Sequence, residues 1–133
     1  MDALDEHILG LLRQNSRESF ATIGKEVGLS AQAVGKRVRI MEETGIIEGY
    51  SVKVNHEKLG IDIKAYITLK LGTYESFGER RQEVENLTEV QSCHLVTGDD
   101  CMIIVAHFKN NKHLSSFLEH LSRFGNTRTS IIL

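Results

Sequence analysis

Gln32, Lys36 and Arg39 follow one another at intervals of three and four residues, with Ala33 and Arg37 beside them. An amide that can pair bidentately with adenine, long cations for guanine edges or phosphates, and a small residue that permits close approach are the groups that read base edges. A second set, Cys93, His94, Cys101 and His107, has the donor atoms of a metal site. Cys93 and His94 are adjacent in a strand-like stretch, however, and neighbouring strand residues point to opposite faces, so the two cannot chelate jointly without distortion. The spacing also lacks the pairings that zinc sites prefer. Two cysteines alone in a reducing compartment read as buried thiols, not as a disulfide. No metal and no cofactor is expected.

The first set is positioned by Ile23 to Tyr50, IGKEVGLSAQAVGKRVRIMEETGIIEGY, which scans as helix, tight turn, helix, stop at Gly45, then strand. Ile23, Val27, Leu29, Val34, Val38 and Met41 recur at helical spacing and would bury one stripe of each helix. Gly24 sits where a bulkier residue would hold the helices apart. Gly28 lies just past the first helix, where a left-handed backbone is needed, and Ser30 can cap the second through its hydroxyl. Turn and cap together set two helices at a steep angle, a helix-turn-helix. On a wheel of about 100° per residue, Ala31, Val34, Val38 and Met41 point inward and Gln32, Lys36 and Arg39 outward. Ala33 and Arg37 fall on the flanks, where Arg37 could brace against Glu42 or a phosphate. A third helix, Leu4 to Asn15, completes the core with Leu4, Ile8, Leu11 and Leu12. After Gly45, Ile46 to Val54 alternates Tyr50, Val52 and Val54 against Ser51 and Lys53 and reads as a connecting strand.

From Ile61 the period becomes two: Ile61, Ile63, Ala65, Ile67, Leu69 and Leu71 share one face of a half-buried strand. Phe77, Val84 and Leu87 give a helix, Val90 to Thr97 a strand and Met102 to Phe108 another. Leu114, Phe117, Leu118, Leu121 and Phe124 give an amphipathic helix, and Thr127 to Leu133 a final strand. That order, βαββαβ, is the ferredoxin-like unit, whose helices cover one sheet face and leave the other for a partner. The fold class expected is α+β. A winged-type helix-turn-helix of three helices occupies residues 1–49, a connecting strand 50–60, and a ferredoxin-like domain 61–133.

The chain is 133 residues with a net charge of −2. Residues 1–55 carry seven Lys/Arg against eight Asp/Glu, so positive charge is local: Lys36, Arg37 and Arg39 cluster, with Arg17, Lys25 and Lys53 as backbone clamps. Domains this small bury only about 60% of their unfolded-chain surface, so pairing with a second copy is a physical expectation. The start carries acids where a leader would carry a basic region, and no apolar run approaches the roughly 18 residues of a spanning helix. The sequence therefore reads as cytoplasmic, with no membrane partner. An enzyme would need convergent acid, base or nucleophile groups, and Cys101, His94 and Asp99 are the only set of the right type, with no enforced geometry. The remaining alternative is a DNA-free effector or assembly module with the basic helix as a solvated face.

These residues resemble the Lrp/AsnC, or feast/famine, regulators of bacteria and archaea nearly end to end. The carriers are Leu4-Asp5 with Ile8 and Leu12, Arg17, Val27-Gly28-Leu29-Ser30, Arg37-Val38, Glu42 with Gly45 and Ile47, Gly49-Tyr50, Leu59-Gly60, Gly98-Asp99 and Thr129-Ser130. The resemblance implies a homodimer that associates further, to tetramers or octamers. It implies double-stranded DNA as partner and an amino acid as effector. It places DNA contacts at Gln32, Ala33, Lys36 and Arg37, to which the exposed face adds Ser30 and Arg39. It implies an effector site between subunits, around Gly98, Asp99 and Asp100 after the second strand and Thr127, Thr129 and Ser130 at the start of the last. There glycine-loop amides would hold a carboxylate, a side-chain carboxylate an ammonium, and hydroxyls the rest of the shell. Gly98-Asp99 also suits a two-residue hairpin turn. Two departures stand out: similar proteins usually follow Gly-Asp with an aromatic residue and an acid, where this chain has Asp100 and Cys101, and they commonly run on past the last strand.

Overall fold

A computed structural model describes residues 1–71, 77–98 and 102–133, with the Phe77 side chain left out. The chain divides into two compact units, Met1–Lys53 and Val54–Leu133.

The first unit packs α1 (Ala3–Gln14), α2 (Phe20–Val27) and α3 (Ala31–Glu43) around one core. Its buried residues are Ile8, Leu12, Ile23, Val34, Val38 and Met41, with Leu9, Leu11, Val27, Leu29 and Ile47 packed against them. Each helix begins where a short polar side chain takes over an orphan amide. Asp2 accepts from the Asp5 amide at 2.9 Å while Asp5 accepts from the Asp2 amide at 3.0 Å, a reciprocal capping box. Ser19 and Ser30 cap α2 and α3. After α3, Gly45 takes φ 76 and Ile47 N–H returns to the Met41 carbonyl at 2.9 Å.

The connector differs from its expectation. Residues 46–62 contain no strand; their only regular element is a 3₁₀ turn, Glu57–Leu59. Tyr50, Val52 and Val54 are exposed. Alternation supplies a side-chain pattern, but a strand needs a neighbour to receive its amides and carbonyls, and among the described residues none pairs with that stretch.

The second unit is a four-stranded antiparallel sheet, β1 (Ile63–Leu71), β2 (Val90–Leu95), β3 (Met102–Phe108) and β4 (Gly125–Ile132), in the order β2-β3-β1-β4. α4 (Phe77–Glu85) and α5 (Asn111–Leu121) complete the βαββαβ order. Ala65, Ile67, Leu69 and Leu71 are buried with Val84, Cys93, Met102, Ile104, Ala106, Phe108, Leu114, Phe117 and Leu121, so alternation on β1 and the helical stripe on α5 meet in one core. α4 is nearly all polar around Val84. Its exposed side carries Arg80–Glu83 and Arg81–Glu85 ion pairs at helical spacing, which add a few tenths of a kcal/mol each, and the Arg80 guanidinium lies 4.6 Å from the centre of the Phe124 ring.

Candidate nucleic-acid interface and effector region

The geometry between α2 and α3 is set by three residues. Gly28 adopts φ 73, a left-handed conformation that a side chain would resist, and Leu29 N–H donates to the Gly24 carbonyl at 2.9 Å. A Cβ on Gly24 would stand 2.3 Å from the Leu29 carbonyl oxygen, so only glycine lets the turn fold back onto α2. The Ser30 hydroxyl accepts from the Ala33 amide at 3.1 Å, which opens α3 and commits that oxygen to the cap.

Val34, Val38 and Met41 of α3 are buried, and Gln32, Lys36 and Arg39 are exposed. Ala33 and Arg37 are half-buried, on the flanks as the wheel puts them. Ala31, expected inward, is exposed; it is the first residue after the cap, where the helix has run past its core. Gly35 also has a packing reason that the periodicity did not signal: a Cβ there would meet the Phe20 ring at 3.3 Å.

Arg37 is engaged within the chain. Its Nη1 donates to Asp2 at 2.8 and 2.9 Å and to Asp5 at 2.8 Å, tying the start of α1 to the flank of α3. The contact holds the Asp2 carboxyl below its ordinary range, with the Asp5 amide adding to it, and raises Arg37 further. The Asp5 carboxyl is lowered first by the Asp2 amide and then by Arg37. The expected alternative partner, Glu42, instead accepts from the Tyr50 hydroxyl at 2.8 Å. Among the described residues no hydrogen bond or ion pair engages the side chains of Gln32, Lys36 or Arg39, so the exposed face of α3 carries one amide and two cations unspent.

The three hydroxyl residues expected at an effector site fall on two sides of the sheet. Thr127 pairs with Leu69 and Thr129 with Ile67, both core residues, whereas Ser130 pairs with Tyr66 on the opposite face. Side chains alternate along a strand, so one chain cannot bring all three hydroxyls into a single shell. Gly98 takes φ 102 between β2 and β3, and Asp99, Asp100 and Cys101 lie outside the described residues. The flanking strands pair Leu95 with Met102; the hairpin turn that Gly98-Asp99 would suit includes residues outside those described. Met102 and Thr127 both pair with Leu69, which puts the start of β3 and the start of β4 at one end of the sheet with β1 between.

Cys93 is buried in the core, and burial pushes its thiol up to about 11; His94 is exposed. The two thus face apart, as their adjacency required. His107 hydrogen-bonds to the amide oxygen of Gln91. No helix among the described residues is long and apolar enough to cross a membrane.

A three-helix unit presenting an unspent polar and basic helix face, followed by a βαββαβ unit, is the layout of a two-domain helix-turn-helix regulator. Residues 1–42 match the AsnC-type helix-turn-helix domain, and residues 64–133 the Lrp/AsnC ligand binding domain. The chain is 30% identical over 126 residues to the HTH-type transcriptional regulator LrpB of Bacillus subtilis, spanning 95% of this chain and 84% of that one. Among solved structures it superposes on AsnC of E. coli with a TM-score of 0.86 at 28% identity, covering 100% of this chain and 92% of the other. A transcriptional regulator of Neisseria meningitidis, solved as a complex with L-Met, gives a TM-score of 0.91 at 25% identity over 100% and 90%. The chain belongs to the Lrp/AsnC family of DNA-binding transcriptional regulators.

Proposed function

We propose that this regulator reads double-stranded DNA with the exposed face of α3, as a homodimer in the cytoplasm, and that an amino acid adjusts its binding or assembly. The unspent face of Gln32, Lys36 and Arg39 carries the reading. Gln32 offers a bidentate amide to adenine, Ala33 allows close approach, and Lys36 and Arg39 meet guanine edges or phosphates. Ser30 starts the helix and can still donate its hydroxyl hydrogen to a phosphate. Arg37 fixes α1 against α3 and reaches a phosphate only by giving up Asp2 or Asp5. Residues 1–49 form the reading domain, 50–60 the connector, and 61–133 the effector and assembly domain.

The near-neutral charge makes one copy a weak binder, so two half-sites bind better than one. The part of the sheet face where Tyr66 and Ile132 are exposed suits a second copy, and dimers build to tetramers or octamers through further surfaces of this domain. The effector site draws Gly98, Asp99 and Asp100 from one place and Thr127, Thr129 and Ser130 from another. The division of those hydroxyls between sheet faces favours a site completed by a second subunit. The Neisseria complex with L-Met supports an amino acid as the ligand class.

Lys36→Ala is expected to weaken binding to the chain's own upstream DNA and to reduce the slope of log affinity against log salt by about one. Fluorescence anisotropy across a salt series measures both, and unchanged affinity and slope would remove Lys36 from the interface. Calorimetric titration with the common amino acids tests the effector reading, and no heat with any of them would contradict it.

A further inference from the structure

The ring of His56, in the connector, lies flat on the ring of His107, in β3, with centroids 3.7 Å apart and planes within 7°. His56 is also the hub of its own turn. Its carbonyl accepts from Leu59 at 2.9 Å and Ile61 at 3.0 Å, and Gly60 N–H closes onto Glu57 at 3.0 Å. Its Nδ1–H donates to the Val54 carbonyl at 3.1 Å. The stack forms one wall of a pocket of about 330 Å³ that Ile61, Thr88, Val90 and Lys109 also line.

We propose that the His56–His107 stack is an acid-released latch that holds the connector turn, residues 54–61, against the sheet when both rings are neutral and frees it when both become imidazolium.

The hydrogen bonds assign the neutral state. His107 Nε2–H donates to the Gln91 amide oxygen, which leaves Nδ1 as its vacant base, and the His56 bond to Val54 leaves Nε2 as the other. Adding a proton to each places two like charges face to face at stacking distance, where their repulsion is strong. The surroundings do not offset it. Lys64, on β1, pairs across from His107, and Lys109 follows β3. Glu89, which lines the same pocket, is committed: it accepts from His113 Nε2, on α5, at 3.0 Å and from the Thr88 hydroxyl at 3.2 Å. Burial pulls the Glu89 carboxyl up, but His113, its own backbone amide and Thr88 outweigh this and hold it low. The other ring nitrogen of His113, Nδ1, accepts from the Lys109 N–H at 3.2 Å. Glu57, Lys58 and Asp62, in and beside the turn, are exposed, and among the described residues none forms an ion pair with either ring.

Burial, then His56, then Lys64 lower the proton affinity of His107. A base whose affinity falls on folding favours the neutral form. The latch is therefore at full strength above the ordinary imidazole value of about 6.5 and weakens as pH falls below it. This coupling differs from DNA reading and from effector binding, and its readout requires neither ligand.

The test is amide hydrogen exchange of the full chain at about pH 7.5 and about pH 5.5, corrected for intrinsic rates, beside NMR titration of the two rings. Protection of Leu59, Gly60 and Ile61 is expected to fall roughly fivefold at the lower pH in the wild type. His56→Phe, which keeps a flat ring without a titrating group, is expected to hold protection constant, and His56→Ala to lose it at both pH values. The two wild-type rings are expected to titrate as a coupled pair, with His107 below its ordinary value. Unchanged wild-type protection, an equal fall in His56→Phe, or rings that titrate independently would overturn the latch. Should the variants fail to fold, the wild-type titration and exchange decide alone.

Discussion

Gly24→Ala is expected to destabilise the helical unit by about 3 kcal/mol, the upper end for overpacking a tight site, and to abolish DNA binding with it. The new Cβ would sit 2.3 Å from the Leu29 carbonyl oxygen, and backbone cannot rotate aside as a flexible side chain can. Relief requires α2 and α3 to part, which breaks the bonds that the Gly24 carbonyl accepts from Gly28 and Leu29. Those bonds close the turn that aims α3, so stability and reading fall together. Thermal unfolding and a binding titration of the same sample measure both, and wild-type values in the two would refute this account of the turn. Gly10, with nothing within 4 Å of an added Cβ, is the matched control: Gly10→Ala should be neutral or mildly stabilising, since alanine favours helix.

Phe108→Ala should have the largest effect in the second unit, about 3–5 kcal/mol. Phe108 ends β3 fully buried. Its ring meets Phe117 edge-on with centroids 5.0 Å apart and His113 at 5.4 Å, so it joins sheet to α5. Truncation removes the ring and leaves a cavity that three elements cannot all collapse into. Because a domain's whole stability is only about 5–15 kcal/mol, the variant should unfold well below the wild type in chemical denaturation. A midpoint shift no larger than that of an exposed residue such as Tyr66→Ala would contradict this placement of the core.

The elements that set the fold were legible because their patterns are local. Ile63 to Leu71 alternates and is half buried as alternation requires, and Val34, Val38 and Met41 form the inward stripe of α3. Gly28, Ser30 and Gly45 do what their residue types suggest. Ala31 departs because a wheel assumes that the core extends as far as the helix does. Ile46 to Val54 departs because side-chain alternation is a property of the segment, whereas a strand is a property of a pair. At the site, Gln32, Lys36 and Arg39 could be placed outward from spacing alone, but the partners of Arg37 could not be found that way: Asp2 and Asp5 lie on another helix, and only the packing of α1 on α3 brings them near. The division of Thr127 and Thr129 from Ser130 follows from period two and could have been read in advance. The meeting of His56 with His107 could not, since it depends on where the connector turn lands on the sheet.

The Arg37 brace also refines the charge argument. With Arg37 neutralised by two carboxylates, the free positive charge on α3 is that of Lys36 and Arg39. So small a patch gives little non-specific attraction, so the proposed reading draws its affinity from base contacts and from two copies presented at once.

Hydroxyl-radical footprinting of the full chain on its own upstream DNA tests that claim most directly. The account predicts protection in pairs of half-sites spaced by about 10 base pairs or a multiple of it, on one face of the duplex, and lost together in Gln32→Ala/Lys36→Ala. An absence of protection at any salt concentration, or a footprint that the double variant leaves intact, would contradict it.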